Sequence, residues 1–593
     1  MNNFEKSSLP KWDLSDLFKG VDDPLIEETY NHIEKTIDSF VEKYKEDFIN
    51  HNITPQKLFD AISDYELIEE HFYKILSFAF LGFAANSNDE KIVAFYQNAQ
   101  EKCNILSTKL IFMTLIINKI TDEALEKCYE NCEALKDYKP WIDGHRLFKK
   151  YQLSEDLERL IHEKATTSSY AWERLYEESL NDIKIKDGEK TLTLSDILNN
   201  ISSNDEKIRE KSANQLSSSL KDKMPILSLA MNTILKDKEI TDSWRKYPNP
   251  TTPRHLSNQV EEEVVEALAN CVKQNYSNLS HRYYSLKAKW MGKEKIEYWD
   301  RNAPLSSDEK IYSWEDAKKI VFNSYYNFSP TLAQLVQKFF DNDWIDAEPR
   351  PGKDSGAFSH PTYIRAHPYI LMNYYGKRRD IMTLAHEIGH GAHQILSNDQ
   401  PQLLCDTPLT VAETASVFGE MLTFKELIKE SGSNEEKKLL IAAKVEDMLN
   451  TVVRQIAFYE FEKEIHNERK LGEISTKKFE DIWMKTQKEA LGDSVNLDEI
   501  IRPYWSYVTH FVRSPFYVYA YAFGDCLVNS LYGLYEKGHE DFEEKYLELL
   551  RAGGSKRYDE LLKPFGLDAK DPSFWQNGLD VIANLIDDLE SLN

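Results

Sequence analysis

The chain has 593 residues and carries 73 basic and 99 acidic side chains, a net charge of −26 with neutral histidines. This balance argues against nucleic acids and anionic membranes as partners, because phosphate binding requires clustered positive charge. The 21 glycines and 20 prolines are about 7% of the chain, against roughly 12% in typical proteins, which argues against an all-β fold and for long helices.

The N-terminal segment, MNNFEKSSLPKWDLSDLF, has charges and a proline where a signal peptide needs an uninterrupted apolar stretch. No run of about 18 apolar residues follows that could span a membrane. The six cysteines are too sparse and too irregular for a disulfide framework. We therefore expect a cytoplasmic protein with reduced thiols.

Apolar residues recur at spacings of three and four along most of the chain, for example at Leu58, Ile62 and Tyr65, which predicts helices. The clearest exception is residues 183–194, where two alternating runs flank Asp187-Gly188 and predict a β-hairpin. We place a domain boundary close to it, between residues 1–200 and 201–593. Prolines and glycines in residues 344–377 predict loops and short strands.

An H-E-x-x-H motif follows, His386-Glu387-Ile388-Gly389-His390, on a predicted helix with Asp380 as its N-cap. Four residues make about 400° of helix, so His386 and His390 project from one face and can reach one zinc ion. Glu387 is rotated by about 100° from His386, which suits a base acting on water and not a ligand. The alternative is a pair of histidines that only form hydrogen bonds within a helical core.

A catalytic zinc site has three protein ligands and an open fourth position. The extended motif with a third histidine is absent, because Leu396 stands at that position. We predict that the third ligand is Glu413, on a helix that begins at Thr407-Pro408 and has small residues that permit close packing. The alternative is exposure of Glu413 to solvent.

Two further polar side chains follow the motif. Glu420 lies two helical turns after Glu413 on the same predicted face, and it either orients a ligand histidine or is solvated. His393 is expected to pack near the ligands and not to bind zinc, because a fourth protein ligand would close the open position.

The segments HEIGHGAH and VAETAS, with FGE after them, closely resemble the thimet oligopeptidase and oligoendopeptidase F family of zinc peptidases, and they are most similar to the oligoendopeptidase F branch. The similarity includes GKDSGAF (352–358), HPYILMNY (367–374) and HFVRSPFYVYAYAFG (510–524). Segments outside the catalytic part, at residues 163–178 and 283–305, are similar too, so the resemblance spans about residues 10–590.

The resemblance implies a mainly α, two-lobed metallopeptidase with a few short strands and a deep central channel that has one zinc ion at its floor. Residues 1–200 would be the N-terminal helical lobe and residues 201–593 the peptidase region. Such enzymes cut internal bonds of short unstructured peptides, since folded proteins cannot enter the channel. Carried over by residue, His386, His390 and Glu413 would bind zinc and Glu387 would be the base.

The C-terminal motif places Tyr517, Tyr519 and Tyr521 at alternate positions, and aromatic stripes commonly belong to a core. Peptide hydrolysis, however, passes through an oxyanion that needs a donor, and a phenol or His510 can supply one. In the thimet branch a tyrosine about a dozen residues after such a histidine has this role. The resemblance selects Tyr521 for it, with Tyr517 as the runner-up.

The GKDSGAF segment is expected to contact the substrate. Gly356 and Ala357 offer a backbone that an extended peptide can approach closely. Phe358 stands where the family usually has tyrosine, and it lacks the hydroxyl group.

Two other functions are compatible with this sequence. A zinc carboxypeptidase with a similar helical groove also carries H-E-x-x-H, and an inactive homologue would bind peptides without turnover. GKDSGAF and the tyrosine-rich segment argue against the first, and the intact Glu387 and ligand set argue against the second. The sequence leaves the oligomeric state open.

Overall fold

Helices account for most of the chain, as the apolar periodicity predicts. The structure is a computed structural model that describes residues 9–50, 53–305 and 310–592, so residues 1–8 of the N-terminal segment considered above lie outside the described residues. The α-helices in chain order are α1 (Pro24–Ile49), α2 (Pro55–Ala85), α3 (Glu90–Thr108), α4 (Ile111–Lys119), α5 (Asp122–Asn131), α6 (Lys139–Arg146), α7 (Glu155–Ala165), α8 (Ser169–Asn181), α9 (Leu194–Asn200), α10 (Glu206–Arg245), α11 (Thr252–Ser257), α12 (Glu262–Gln274), α13 (Arg282–Trp290), α14 (Trp314–Phe328), α15 (Pro330–Asp341), α16 (Arg378–Ser397), α17 (Leu409–Ala412), α18 (Thr414–Glu430), α19 (Asn434–Thr451), α20 (Val453–Leu471), α21 (Thr476–Leu491), α22 (His510–Arg513), α23 (Tyr519–Glu536), α24 (Phe542–Arg551), α25 (Tyr558–Leu562) and α26 (Pro572–Ser591). Short 3-10 segments occupy Glu133–Tyr138, Lys149–Tyr151, Tyr298–Asp300, Glu499–Tyr507 and Lys563–Phe565, and a π-helical turn occupies Ser277–His281.

The start of α2 shows how local sequence sets a helix boundary. The Thr54 side chain accepts a hydrogen bond from the N–H of Lys57 at 3.2 Å, and Pro55 is the first helical residue. The periodic residues Leu58 and Ile62 are fully buried. A polar cap and an apolar stripe are thus sufficient to specify this helix.

The strands are few and short, namely β1 (Lys184–Asp187), β2 (Lys190–Thr193), β3 (Ile296–Glu297), β4 (Ile345–Asp346), β5 (Phe358–His360), β6 (Tyr369–Leu371) and β7 (Val495–Asn496). They form a β1–β2 hairpin, a parallel β3–β7 pair and a sheet of order β4-β6-β5, in which β5 runs antiparallel to β6. The mainly α fold with few short strands is confirmed.

The predicted hairpin is present, but its turn lies one residue later than expected. Asp187 pairs with Lys190, so the turn residues are Gly188 and Glu189. Gly188 has a φ of +62°, a conformation that residues with a side chain rarely adopt.

The described chain divides into two compact units, each made from three segments. Unit 1 comprises residues 9–149, 310–430 and 537–567, and unit 2 comprises residues 150–305, 431–536 and 568–592. The predicted domains, 1–200 and 201–593, coincide with neither unit and stay a prediction.

In unit 1, one apolar cluster joins the N-terminal helices to the β4-β6-β5 sheet. It contains Ile33 of α1, Ile62 of α2, and Tyr369 and Leu371 of β6, all fully buried. β5 and β6 in turn pack against α16. The core therefore fixes the strands that flank α16.

In unit 2, the 40-residue α10 packs against α8 and the Glu499–Tyr507 segment, while α23 packs against α26. Trp483, Trp505 and Trp575 are fully buried.

No helix in the described residues is long and apolar enough to cross a lipid bilayer. The six cysteines are free thiols.

Candidate metal centre

α16 carries the H-E-x-x-H motif, and Asp380, in its first turn, accepts hydrogen bonds from the segment that leads into the helix. The prediction of Asp380 as the N-cap is wrong, because the helix begins at Arg378 and Asp380 is its third residue. The Asp380 carboxylate accepts hydrogen bonds from the N–H groups of Tyr375 and Lys377, at 2.7 and 2.9 Å. A carboxylate at this position still stabilises the positive end of the helix.

α16 lies very close to α18 because glycines remove side chains at the contact. A Cβ on Gly389 would lie 2.5 Å from the carbonyl oxygen of Ala415. Gly419 of α18 leaves room for the hydroxyl of Tyr325, which donates to the carbonyl of Ala385 at 2.8 Å. The close contact brings the residue before α18 up to the histidines of α16.

Glu413 lies at a break between two helices. The predicted continuous helix with Pro408 as its first helical residue is wrong, because Pro408 precedes α17 and α18 begins only at Thr414. The Thr414 hydroxyl donates to the carbonyl oxygen of Val411 at 2.7 Å, which competes with the helical hydrogen bonds. Glu413 therefore projects from a helix end.

His386, His390 and Glu413 each bring one donor atom to a common point, and we call these three residues the metal centre. The two Nε2 atoms are 3.2 Å apart, and Oε2 of Glu413 lies 3.5 Å from each. Ligands about 2.0–2.1 Å from a tetrahedral zinc ion lie roughly 3.3 Å apart. Among the described residues no other three His, Cys, Asp or Glu side chains converge in this way. The donor set and its spacing fit zinc.

Glu420 determines which nitrogen of His386 faces this point. Its Oε1 lies 2.6 Å from Nδ1 of His386, and because a carboxylate only accepts, Nδ1 carries the proton. Burial by itself lowers the pKa of His386, but the hydrogen bond to Glu420 and the nearby carboxylates outweigh it and raise the pKa to about 9. The same negative charges would stabilise a metal cation. Burial lowers the pKa of His390, which keeps that ring neutral.

Glu387 lies beside the two histidines and is 6% exposed. Burial raises its pKa to about 7, with the charge of His386 opposing and those of Glu413 and Glu420 adding. A carboxyl group with a pKa near the working pH is suited to accept and return a proton.

His393 lies outside the metal centre. It is 3% exposed, and its Nε2 is 3.3 Å from Oγ1 of Thr407. Burial and the neighbouring His390 lower its pKa to about 3. The structure thus places His393 as a packed, neutral side chain behind the ligands.

The GKDSGAF segment leads into β5, the edge strand that flanks α16. The N–H of Gly356 donates to Oδ1 of Asp354 at 2.7 Å, so this amide is already used within the loop. Phe358 packs against Phe80, with ring centroids 5.2 Å apart. The substrate contacts assigned to Gly356, Ala357 and Phe358 stay predictions.

In unit 2, His510, Tyr517 and Tyr521 form a group that we call the tyrosine cluster. Nε2 of His510 lies 3.2 Å from the Tyr521 hydroxyl, and the rings of Tyr517 and Tyr521 are 5.3 Å apart. Tyr521 is 37% exposed, whereas Tyr519 is fully buried with its hydroxyl 3.1 Å from Nδ1 of His255. The core interpretation therefore applies to Tyr519 and not to Tyr521.

Comparison with known proteins identifies the family. A family model described as peptidase family M3 matches residues 200–581, and a second one, described as oligopeptidase F, matches residues 117–185. The chain belongs to peptidase family M3. Membership confirms the predicted enzyme class, a metallopeptidase that hydrolyses peptide bonds.

Several known proteins match the chain over nearly its full length. An oligoendopeptidase F homolog from Borreliella burgdorferi is 27% identical and covers 100% of both chains. Oligopeptidase PepF from Bacillus subtilis is 24% identical, over 98% of this chain and 87% of that protein. The crystal structure of oligoendopeptidase-F from Enterococcus faecium has a TM-score of 0.71 at 18% identity, over 95% of this chain and 98% of that one. The predicted resemblance to the oligoendopeptidase F branch is confirmed.

Sequence reasoning missed two polar contacts around the M3 motif. The hydroxyl of Ser416, one of the small residues near Glu413, donates to Oε2 of Glu413 at 2.6 Å. Gln394 donates to the carbonyl of Ser359 at 3.2 Å and accepts from its hydroxyl at 2.8 Å, which ties β5 to α16. Gln394 follows His390 by one helical turn, and this spacing could have indicated it.

Proposed function

We propose that this family M3 protein is a zinc-dependent endopeptidase that hydrolyses internal bonds of short, unstructured peptides and carries one zinc ion per chain. The observation that carries the choice of metal is the convergence of His386, His390 and Glu413, with donor atoms 3.2 and 3.5 Å apart. Two imidazoles and one carboxylate with an open fourth position are a donor set of catalytic zinc. The names of the relatives support cleavage within oligopeptides.

In the proposed hydrolysis, each residue around the metal centre has a separate role. When bound, zinc would polarise the scissile carbonyl and lower the pKa of a water molecule. Glu387 accepts the proton of that water and passes it to the leaving amine. Glu420 accepts a hydrogen bond from the protonated Nδ1 of His386, which leaves Nε2 for the metal. His393 supports His390 by packing.

The tyrosine cluster provides the candidate donors to the oxyanion. Tyr521 is the primary one, because the residue is 37% exposed and its hydroxyl is hydrogen-bonded to His510. A phenol or imidazole N–H stabilises the negative charge that develops on the carbonyl oxygen. Tyr517 contacts the substrate, as do Gly356, Ala357 and Phe358. A cytoplasmic location and the absence of nucleic-acid partners stay expectations.

A short peptide blocked at both ends tests this function. We expect the zinc-loaded protein to cleave it internally, because an exopeptidase needs a free terminus, and mass spectrometry of the products identifies the bond. A chelator should abolish cleavage. Release of single terminal residues from unblocked peptides alone would favour a carboxypeptidase instead.

Glu387→Gln tests the base. We expect the variant to retain zinc and to lose about 10²–10⁴-fold in kcat, because no carboxylate remains to accept the proton. Metal analysis and turnover of a quenched fluorescent peptide measure the two effects. Glu430→Gln, at the exposed end of α18, is the control and should change neither. Near-normal hydrolysis by Glu387→Gln would overturn the assignment.

A further inference from the structure

A cavity of about 320 Å³ lies in unit 2, beside the tyrosine cluster. Helices α8, α10 and α11 line it, together with Val512 and Pro515 from the segment that contains the cluster. Arg254 connects the two features, because it lines the cavity and its guanidinium lies 5.5 Å from the ring centroid of Tyr517. The volume is at the lower end of the roughly 300–1,000 Å³ that small-molecule sites occupy.

One wall of this cavity, formed by α8 and α10, carries three carboxylates and one lysine, so its negative charge is not balanced. Lys238 and Asp242 of α10 form an ion pair at 2.5 Å. Glu173 of α8 and Asp237 of α10 have no ion-pair partner among the described residues.

Burial raises the pKa of the Glu173 and Asp237 carboxyl groups. The charge of Glu177 adds to the effect on Glu173, whereas Arg513 opposes it at Glu173 and Lys164 opposes it at Asp237. Because neither carboxylate is in an ion pair within the described part of the chain, a cationic group would be stabilised between them.

Arg254 provides the opposite charge on another part of the wall. Its Nε donates to the carbonyl oxygen of Pro515 at 3.2 Å, which fixes the side chain and leaves the two terminal nitrogens for another acceptor. Within the described residues no carboxylate lies at ion-pair distance from this guanidinium. The planar group is well suited to a carboxylate, with which it can form two parallel hydrogen bonds.

We propose that this cavity binds a small dipolar ligand, a free amino acid or a dipeptide, with its carboxylate on Arg254 and its cationic group between Glu173 and Asp237. Two carboxylates against one guanidinium favour a ligand with an additional positive charge, such as a lysine-containing dipeptide. The choice of ligand rests on the proposed function, because hydrolysis of oligopeptides releases such molecules. This site is distinct from the metal centre and would bind the charged groups of a small peptide.

Titration calorimetry with glycyl-lysine tests the proposal on the zinc-loaded protein. Glu387→Gln serves as the parent, so that the probe is not consumed. We expect Arg254→Gln to weaken binding by about 10-fold or more, because a charge-assisted contact is lost. The double variant Glu173→Gln/Asp237→Asn should weaken binding of glycyl-lysine to a similar degree. Glycyl-lysine amide lacks the carboxylate, so its affinity for the parent should equal that of glycyl-lysine for Arg254→Gln. Asp222→Asn, at an exposed position of α10, the helix that carries Asp237, is the matched control and should bind like the parent.

Three results would overturn the proposal. One is an equal dissociation constant in the parent and in both cavity variants, which would place the dipeptide elsewhere, for example at the metal centre. Another is equal affinity for glycyl-lysine and its amide, and the third is no binding to the parent at millimolar probe. Hydrolysis of the blocked peptide is measured separately on the wild type, so failure of the peptidase function and failure of this site are distinguishable.

Discussion

The metal centre and the tyrosine cluster are held in different ways. In the metal centre, His386 and His390 project from α16 and Glu413 from the break before α18, and these two helices are in close contact at Gly389. The tyrosine cluster instead spans α22, a turn and the start of α23, and Phe516 in that turn has a φ of +62°. A residue with a side chain adopts this conformation only when its surroundings enforce it.

Contacts from distant segments enforce the turn. Oε1 of the buried Glu462 accepts a hydrogen bond from the N–H of Phe516 at 2.8 Å, and Arg254 donates to the carbonyl of Pro515. The metal centre depends on close packing of two helices, whereas the tyrosine cluster depends on single buried polar contacts. A substitution that removes one of these buried polar contacts is therefore expected to displace the tyrosine cluster without affecting the metal centre.

Glu413→Ala should have the largest effect. It removes one of three ligands, so we expect metal affinity to fall by more than the ~10–100-fold that loss of an outer hydrogen-bond partner costs. Activity should be lost with the metal. Zinc content after dialysis and peptide turnover measure this, and full zinc occupancy in the variant would contradict the ligand assignment.

Tyr521→Phe should have the second largest effect on activity, and it should leave the metal centre intact. Loss of one donor to the oxyanion costs about 10²–10³-fold in kcat, with little change in KM. Tyr517→Phe is the matched comparison in the same cluster and should change KM more than kcat. Steady-state kinetics of both variants decide between them, and a reversed pattern would transfer the donor role to Tyr517.

Glu420→Gln should weaken the metal centre without removing a ligand. The glutamine amide oxygen can still accept the hydrogen bond from Nδ1 of His386, but the negative charge of the carboxylate is lost. We therefore expect a decrease of about 10–100-fold in metal affinity or activity. Competition with a fluorescent chelator measures the affinity. Glu430→Gln on the same helix is the control, and equal affinities for the two variants would reduce Glu420 to a packing role.

Glu462→Gln should have the smallest effect, a change in the pH dependence of stability, because the amide oxygen can still accept the hydrogen bond from the N–H of Phe516. Burial raises the pKa of Glu462 to about 8, above its ordinary value of 4.5, although the hydrogen bond from Phe516 and the charges of Arg254 and Lys238 oppose the shift. The nearby His466 is buried, and burial keeps its pKa low and its ring neutral. The folded state thus binds the extra proton, and this contribution is present below about pH 4.5 and lost as the pH rises to about 8.

Thermal unfolding between pH 5 and 8 measures the effect. The decrease in Tm with rising pH should be smaller in Glu462→Gln than in the wild type. Glu473→Gln, at an exposed position after α20, should retain the wild-type slope. Parallel curves for all three proteins would show that Glu462 does not titrate in this range.

The sequence by itself determined the features that depend on local spacing. The helical fold follows from apolar residues every three or four positions, and the shared face of His386 and His390 follows from their separation of one turn. Glu413 was identified as a ligand candidate because an acidic residue stood among small ones. The helices and the shared histidine face depend on residues close together in the chain, so the pattern alone specifies them, whereas the approach of Glu413 to the histidines depends on the contact between α16 and α18.

Only the tertiary structure decided the features that depend on contacts between distant segments. The break at Glu413 and the capping of α16 by Asp380 from its third position differ from the sequence-based predictions. The interleaving of segments in the two units is likewise a feature of the tertiary structure. The same holds for the 2.6 Å contact between Glu420 and His386, and for the cavity that brings Glu173 and Arg254 together. The physical reason is that packing and burial select among several local conformations of similar free energy, and a linear pattern does not contain those contacts.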